Sequence, residues 1–416
     1  MTARASTNIP PSLLKIWQHQ DQFGRASVPP TTATMQSARA IVCHDTHANG
    51  GWKMEDVGVR KPGDGELLVE MVASGVCHTD ALIGGIPGGA APIAFYPRVL
   101  GHEGSGYVKE VGAGVTVAKP GDPVLLSFAF CKKCAICKNG HYSNCNDFND
   151  LNFGGPYRDF QLASKGGEPE VGGQFFGQSS FANLSIVREC SVVNAKELVH
   201  DKKELQLFAP LGCGIQTGSG TVINAAKAKP DDVILILGLG GVGLSAIMGA
   251  KVQGQATPVW SVDRIESRLK LASELGATHT IDGSKLGDKT LVEAIREVAD
   301  GIGPTIAIDT TGAPPLIKAG IEAIRNKGRY IQVGSAPFDF QCEFNMFTFM
   351  VAGKSVQGAI EGEAYPAEFV PQMIKWYREG RFPIDKLTKF MPAEDFEQAL
   401  KEMHDGVTIK PILCWS

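Results

Sequence analysis

The run ASGVCHTDALIGG sets Cys77, His78, Thr79 and Asp80 side by side, four groups that can bind metal, move protons or hold anions. Leu82 follows where one more polar group would extend that chemistry. Two other short stretches carry the same ligand types: LGHEGSG with His102 and Glu103, and LGCGIQTG with Cys213. Two thiolates and one imidazole leave a fourth tetrahedral position for water or substrate, which is how a catalytic zinc is held. Each residue alone has a plainer reading, because a lone buried cysteine is usually core and a lone histidine usually a satisfied polar group.

The stretch CKKCAICKNGHYSNC places Cys131, Cys134, Cys137 and Cys145 as C-x2-C-x2-C-x7-C. Four thiolates so close together wrap one zinc and leave no open position, so such a site is structural. The same count also suits an iron–sulfur cluster or two disulfides. Zinc is favoured because the second half of the chain reads as hydride chemistry and the cysteine usage as that of a reducing compartment. His141, inside the lobe, is then surplus to the shell and faces solvent.

ILILGLGGVG supplies Gly238, Gly240 and Gly243 in the GxGxxG spacing, with Gly241 and Val242 inside it. The motif follows an apolar strand, opens a helix, and is followed 20 residues after Gly243 by Asp263 at the end of the next strand, VWSVD. A dinucleotide site requires that context. The first two glycines allow a tight turn and close approach of the pyrophosphate, the third lets helix and strand pack, and the phosphates sit at the helix N-terminus. Asp263 suits the adenosine ribose hydroxyls and repels the extra phosphate of NADP, so NAD is preferred, although Arg264 beside it is able to host a phosphate. Arg268, one helical turn on, either lies near the adenine ribose or is a solvated helix charge.

These groups must be positioned by elements that change character along the chain. Residues 38–210 read as short alternating or apolar runs broken by Gly, Pro and Asp, among them ARAIVC, GELLVEMVASGV and SIVRECSVV, which predicts a mostly β domain. After residue 214 apolar strands alternate with helical segments, from DDVILILGLG through IESRLKLASELGA to GRYIQVG, which predicts a parallel sheet covered by helices. The final TIKPILCWS offers a strand back to the first domain. The expected division is an N-terminal extension over 1–36, a catalytic domain over 37–214 and 361–416 with the cysteine lobe at 131–145, and a dinucleotide domain over 215–360.

At 416 residues and 43% apolar content the chain can fill two cores. A net charge of −4 without a basic block leaves no electrostatic footprint for nucleic acid, and the longest apolar runs are broken by glycine, so neither nucleic acid nor membrane is an expected partner. Ten cysteines without a secretory signal pattern point to the cytoplasm. Residues 1–36, with three basic groups against one acid, are faintly like a mitochondrial presequence and are more simply read as a disordered tail.

Together, GVCHTD, GHEGSGYVKEVGAGV, the four-cysteine lobe, LGCGIQTGSG and GLGGVG stand in the order and spacing of the zinc-dependent alcohol dehydrogenases of the medium-chain dehydrogenase/reductase superfamily, which the chain resembles from about residue 38 to its C-terminus. FFGQSSFA with LGCGIQTG makes it look most like the aryl-alcohol, or benzyl-alcohol, dehydrogenase branch. The resemblance implies an α/β chain with a Rossmann-type doubly wound parallel sheet domain, a mostly β GroES-like catalytic domain, NAD, and two zinc ions. It implies that Cys77, His102 and Cys213 ligate the catalytic zinc, with Glu103 close enough to exchange into the shell, and that the four lobe cysteines hold the structural one. Thr79 would hydrogen-bond the alcohol oxygen, and Asp80 would orient a ligating histidine. His78 and Lys410 of VTIKPIL would meet the NAD pyrophosphate, and Thr217 would pack against the nicotinamide. Relatives pair through their nucleotide-binding sheets, so a homodimer or homotetramer is implied.

The implied reaction is reversible hydride transfer between a primary aryl or allylic alcohol, or its aldehyde, and NAD; the metal stabilises the alkoxide and the cofactor carries the hydride. The alternatives are a dehydrogenase for short aliphatic alcohols or the formaldehyde–glutathione adduct, and a catalytically silent binding or structural member. Phe128, Phe130, Phe153 and Ile360 are candidate pocket walls, with ordinary core as the competing reading. In many relatives a histidine three residues past the Thr or Ser passes the proton from the cofactor ribose to water; this chain has Leu82 there. Proton release is therefore expected to be slower, and less dependent on pH near neutrality, than in relatives with the histidine. Leu82→His is expected to steepen the pH profile of turnover around the imidazole range of about pH 6–7; an unchanged profile would count against a missing relay.

Overall fold

The computed structural model describes residues 35–153, 158–165, 169–253, 258–298 and 301–416. The extension expected over 1–36 lies outside these residues except at its end, where Gln36 already opens the first strand. The chain divides into two compact units. One holds 214–364 and 372–386; the other runs up to Cys213 and takes in 365–371 and 387–416. The return segment expected over 361–416 is therefore shared, with 361–364 and 372–386 grouped with the GxGxxG motif.

In the unit that contains Cys213, strands Gln36–Cys43, Trp52–Val59, Arg158–Leu162, Val171–Gly172 and Arg98–Val99 close a small barrel. A second sheet runs in the order Val192–Asn194, Pro123–Leu126, Gly104–Val111, Glu66–Gly75, Lys410–Cys414 and Thr388–Pro392, with Leu184–Arg188 also paired to Glu66–Gly75. Glu66–Gly75 is paired to three neighbours, and its sequence ELLVEMVASG is accordingly buried at most positions on both faces. SIVRECSVV makes two strands rather than one, split by a turn of 3-10 helix at Glu189–Ser191. The last strand, Lys410–Cys414, pairs antiparallel with Glu66–Gly75 and sets Ile412 opposite Gly75. That register carries Lys410 to the end of the strand from which Cys77 follows.

The other unit is built on six parallel strands in the order His279–Asp282, Val259–Asp263, Ile234–Leu237, Ile306–Asp309, Arg329–Gln332 and Ser355–Gly358. The order reverses at Ile234–Leu237, and the crevice beyond the carboxyl ends of strands at such a point is where open α/β sheets bind ligands. Ile234–Leu237 is buried throughout, between Val259–Asp263 and Ile306–Asp309. Helix Gly241–Val252 follows it and is buried from Gly243 onward except at Lys251, which is why its sequence is apolar all round. Leu237, Val262, Ile281, Ile317 and Tyr330 share one core with helices Leu291–Val298 and Pro314–Ala323 over them. Among the described residues no helix is long and apolar enough to cross a membrane.

Two glycines of the turn differ in what surrounds them. A Cβ on Gly243 would lie 1.9 Å from the Gly238 carbonyl oxygen, whereas one on Gly240 would meet nothing within 4 Å. Gly243→Ala is expected to cost about 1–3 kcal/mol of stability by overpacking. Gly240→Ala should stay within about 0.5 kcal/mol of the parent. Thermal or urea unfolding of the two variants beside the parent checks the contrast.

Candidate functional site

The ligand groups come from three segments of one unit. Strand Glu66–Gly75 ends just before helix His78–Ile83, with Cys77 as the cap residue. Asp80, in the first turn of that helix, folds back toward the cap. Its Oδ2 accepts the Cys77 N–H at 3.0 Å, and its Oδ1 accepts the Gly101 N–H at 3.1 Å and the His102 ring nitrogen Nδ1 at 2.9 Å. The carboxylate is fully buried, so these donors replace the water it has lost. With its proton on Nδ1, His102 presents Nε2 as a lone pair. That Nε2 is buried and has no hydrogen-bond partner in the structure.

Ligand atoms of Cys77, His102, Glu103 and Cys213 lie within 4.8 Å of one another. Hydrogen bonding from Cys213 holds the Cys77 thiol well below its usual value, against burial and with the Lys410 charge assisting. Burial by itself would depress His102, but the Asp80 and Cys77 charges outweigh it and raise the imidazole. Both shifts express one demand: the centre draws in positive charge. Two thiolates and an orphaned imidazole nitrogen fit a zinc ion, which would supply that charge without a proton on Nε2.

Glu103 is fully buried beside this cluster, and both its oxygens accept from Lys410 Nζ, at 2.8 and 2.9 Å. Lys410, expected at the cofactor pyrophosphate, has its ammonium on this carboxylate and also donates to the Val76 carbonyl at 3.2 Å. A buried carboxylate needs a counter-charge, and Lys410 is delivered to it by the last strand. Burial pushes Glu103 upward with Lys410 opposing. Gly75 makes room for the pair: a Cβ there would come within 2.1 Å of Glu103 Oε2.

The His102 ring is enclosed by Phe176, stacked at 4.4 Å, and by Phe175, edge-on at 5.4 Å, with Phe153 against Phe176 at 5.2 Å. Of the expected pocket walls, Phe153 therefore reaches the site's surroundings. Phe128 and Phe130 are core, packed on Phe148 and on Tyr142 and Tyr365 respectively. Ile360 is partly exposed in the other unit. Phe175 and Phe176 escape a sequence reading because their contact with His102 is made across two distant segments; FFGQSSFA shows only that they are apolar. His78 is exposed, Thr79 half-buried, and Leu82 39% exposed on the same short helix.

In the lobe, ligand atoms of Cys131, Cys134, Cys137 and Cys145 also lie within 4.8 Å of one another, and all ten cysteines are free thiols. Backbone N–H groups of Cys131, Cys134 and Cys137 each point to a sulfur, at 3.4 Å. Such N–H···S contacts stabilise thiolates; the N–H groups of Cys137 and Asn146 hold the Cys134 thiol down to about 6. His141 is exposed and outside the sulfur cluster. Four convergent sulfurs without disulfides fit a structural zinc.

In the other unit, Gly238 turns the chain with φ near 90° and donates its N–H to Val262. Asp263 Oδ2 accepts the Leu239 N–H at 2.7 Å, so the acid braces the glycine turn as well as ending its strand. Gly241 and Val242 are half-buried at the start of the following helix, whose first N–H groups lack partners within the helix. Thr217 is buried in helix Gly214–Gly220, which touches the turn's helix closely enough that a Cβ on Gly218 would lie 1.9 Å from the Val242 carbonyl. Arg268 is half-buried near Asp263, with Nε buried and unpartnered in the structure; burial lowers its pKa and Asp263 opposes. The clear space at Gly240 and this spare donor fit a bound dinucleotide. Arg264 is exposed.

Residues 63–197 match the alcohol dehydrogenase GroES-like domain, and residues 241–379 match the zinc-binding dehydrogenase family. Geraniol dehydrogenase of Castellaniella defragrans is 40% identical over 380 residues, covering 91% of this chain and 97% of that one. The chain belongs to the zinc-dependent alcohol dehydrogenases. Benzyl alcohol dehydrogenase from Acinetobacter calcoaceticus has a similar crystal structure, with a TM-score of 0.82 at 36% identity over 92% of this chain and 100% of that one. An alcohol dehydrogenase zinc-binding domain protein from Burkholderia ambifaria gives 0.83 at 37% identity over 92% and 99%. The expected GroES-like and Rossmann-type organisation is thereby shown, as is an NAD-dependent, zinc-containing alcohol dehydrogenase.

In this alcohol dehydrogenase Asp80 orients His102 and caps Cys77 together. Asp80→Ala is expected to weaken metal binding at Cys77, His102 and Cys213 about 10–100-fold, the usual cost of losing such support. Metal taken up by the four lobe cysteines should be held as in the parent. Metal analysis after dialysis against graded chelator concentrations distinguishes the two sites.

Proposed function

We propose that this alcohol dehydrogenase interconverts primary aryl or allylic alcohols and their aldehydes with NAD, holding one catalytic and one structural zinc per chain. The observation that carries the reading is the buried set of Cys77, His102 and Cys213, with His102 Nε2 unpartnered and Phe176 flat against the ring. The substrates named for the geraniol and benzyl alcohol dehydrogenases support the same class.

When bound, zinc would supply the positive charge that acidifies an alcohol and polarises an aldehyde, and NAD would be the hydride acceptor. Cys77, His102 and Cys213 would hold the ion, three protein ligands being the set that leaves room for substrate. Asp80 keeps the proton on His102 Nδ1, so Nε2 remains a ligand. Thr79 would hydrogen-bond the alcohol oxygen and relay its proton, giving up its own hydroxyl proton toward the cofactor ribose and water as it accepts the alcohol's; Leu82 offers no base to that relay. Lys410 neutralises Glu103 and leaves the thiolates as the anionic partners of the metal. Asp263 and Arg268 would receive the adenosine ribose, and the open space at Gly240 would leave the backbone clear for the pyrophosphate. Phe176, buried and stacked on the imidazole, keeps water from His102.

Turnover followed by nicotinamide absorbance should favour benzyl alcohol and an allylic alcohol over ethanol and the formaldehyde–glutathione adduct in kcat/KM. Preference for either of the latter would overturn the substrate class, and fewer than two zincs per active chain would overturn the metal count.

The enzyme is further proposed to pair with a second copy of itself. Helix Met346–Ala352 has no buried residue, and Phe344, Met346, Phe347, Met350 and Val351 are between 42% and 70% exposed. Strand Ser355–Gly358, at the end of the sheet, is exposed throughout. An open, apolar strand edge is a template for pairing, and two copies joined there would extend the sheet. Light scattering should give two or four chain masses. Free thiols throughout support a reducing, cytoplasmic compartment.

A further inference from the structure

We propose that Gln178 is a positioning residue for the catalytic metal, its carboxamide setting the separation between the loop that carries His102 and the turn that carries Cys213. The proposal rests on the reading of Cys77, His102 and Cys213 as ligands. Gln178 Oε1 accepts the Gly104 N–H at 3.0 Å, and Nε2 donates to the His102 carbonyl at 2.8 Å and to the Ser127 carbonyl at 3.0 Å. Ser127 Oγ in turn donates to the Gly212 carbonyl at 2.6 Å, one residue before Cys213. The side chains of Gln178 and Ser127 thus make a short relay from the backbone of one metal ligand to the backbone of another.

Several features show that the relay is built rather than incidental. Gln178 is fully buried, and its amide orientation is forced, since an N–H can only be accepted and two carbonyls can only be donated to. Its own backbone is anchored by Ser185 Oγ on the Gln178 carbonyl at 2.6 Å, and the next residue is anchored by Ser179 Oγ on the Val99 carbonyl at 2.7 Å. Two of the three contact points on the metal loops, Gly104 and Gly212, are glycines. A Cβ on Gly104 would lie 2.9 Å from Gln178 Oε1, and one on Gly212 would lie 1.8 Å from the Leu126 carbonyl, next to Ser127. Asp80 already joins Cys77 to His102. Gln178, through Ser127, joins His102 to the residue before Cys213, so two of the three ligand pairs have a buried polar clamp. A hydrogen-bonding side chain that fixes carbonyls and an N–H in place sets where the sulfur and nitrogen point, and metal geometry is sensitive to displacements well under an ångström.

The test uses the full chain with zinc, in Gln178→Met, which keeps the side-chain length without hydrogen bonds, in Ser127→Ala, and in the double variant. Zinc release to a chromogenic chelator is followed in time, and the ligand-field spectrum is recorded after cobalt(II) replaces the catalytic ion. Gln178→Met is expected to speed release of one zinc about tenfold or more and to shift the cobalt bands, while the other zinc leaves at the parental rate. Ser127→Ala should do the same to a smaller degree. The double variant should add little to Gln178→Met, because the two act in series. Parental release rates and cobalt bands in Gln178→Met and Ser127→Ala would overturn the proposal. If Gln178→Met does not fold, Ser127→Ala alone decides, by the same two readouts. A parent enzyme that takes up metal only in the lobe would overturn the ligand reading itself, a result distinct from variants that match the parent.

Discussion

Asp80 is out of contact with water, and its carboxylate is accommodated because donors from two separate segments converge on it: the Cys77 N–H, the Gly101 N–H and the His102 ring. Taking an ion out of water costs several kcal/mol, and hydrogen bonds to a charged group return about 1.5–3 kcal/mol each, so all three donors matter. The rest of the catalytic unit can be understood as meeting that geometric demand. Pairing of Glu66–Gly75 with Gly104–Val111 sets Ser74 opposite Gly104, which brings the residues just beyond one strand against those just before the other. Pairing of Glu66–Gly75 with the last strand brings Lys410 to the same end.

Charge and space are resolved together there. Burial makes every anion in the site dependent on a partner, and Glu103 has Lys410. Close approach of so many polar groups leaves no room for side chains at Gly75, Gly104 and Gly212, where an added Cβ would collide with Glu103, Ser180 and Leu126 respectively. The glycines around the ligands serve that crowding. Gly238 serves a turn with positive φ, and Gly240 leaves open space. On the outer side of His102, Phe175 and Phe176 replace water by aromatic carbon, which strengthens the electrostatics within.

Much of this was readable along the chain, for local reasons. C-x2-C-x2-C-x7-C confines four sulfurs to one small loop region, so spacing alone nearly dictates that they meet. A strand, a glycine turn, a helix and a terminal acid form one contiguous unit, so the dinucleotide turn and its helix were equally visible. Cys77, His102 and Cys213 were recognisable as one site only through family resemblance, since nothing local connects GVCHTD to LGCG. The division of residues after 361, the split of SIVRECSVV by a 3-10 turn, and the Lys410–Glu103 pair escaped, because each depends on which distant strand lies alongside. FFGQSSFA was informative as a signature and uninformative as to role.

The amino-acid sequence by itself determined which chemistry was available: thiolates and an imidazole for a metal, a sulfur-only lobe, a glycine turn with an acid for a dinucleotide, and Leu82 in place of a histidine. These follow from residue type and short-range spacing, which act through a few covalent bonds. Tertiary structure alone decided which nitrogen of His102 is left free, which cation answers Glu103, which rings face the imidazole, and that Gln178 stands between two ligand loops. Those outcomes rest on hydrogen bonds and packing between segments far apart in the chain, whose energies exist only once strand register has brought buried polar groups within a few ångströms and removed the water that would otherwise satisfy them.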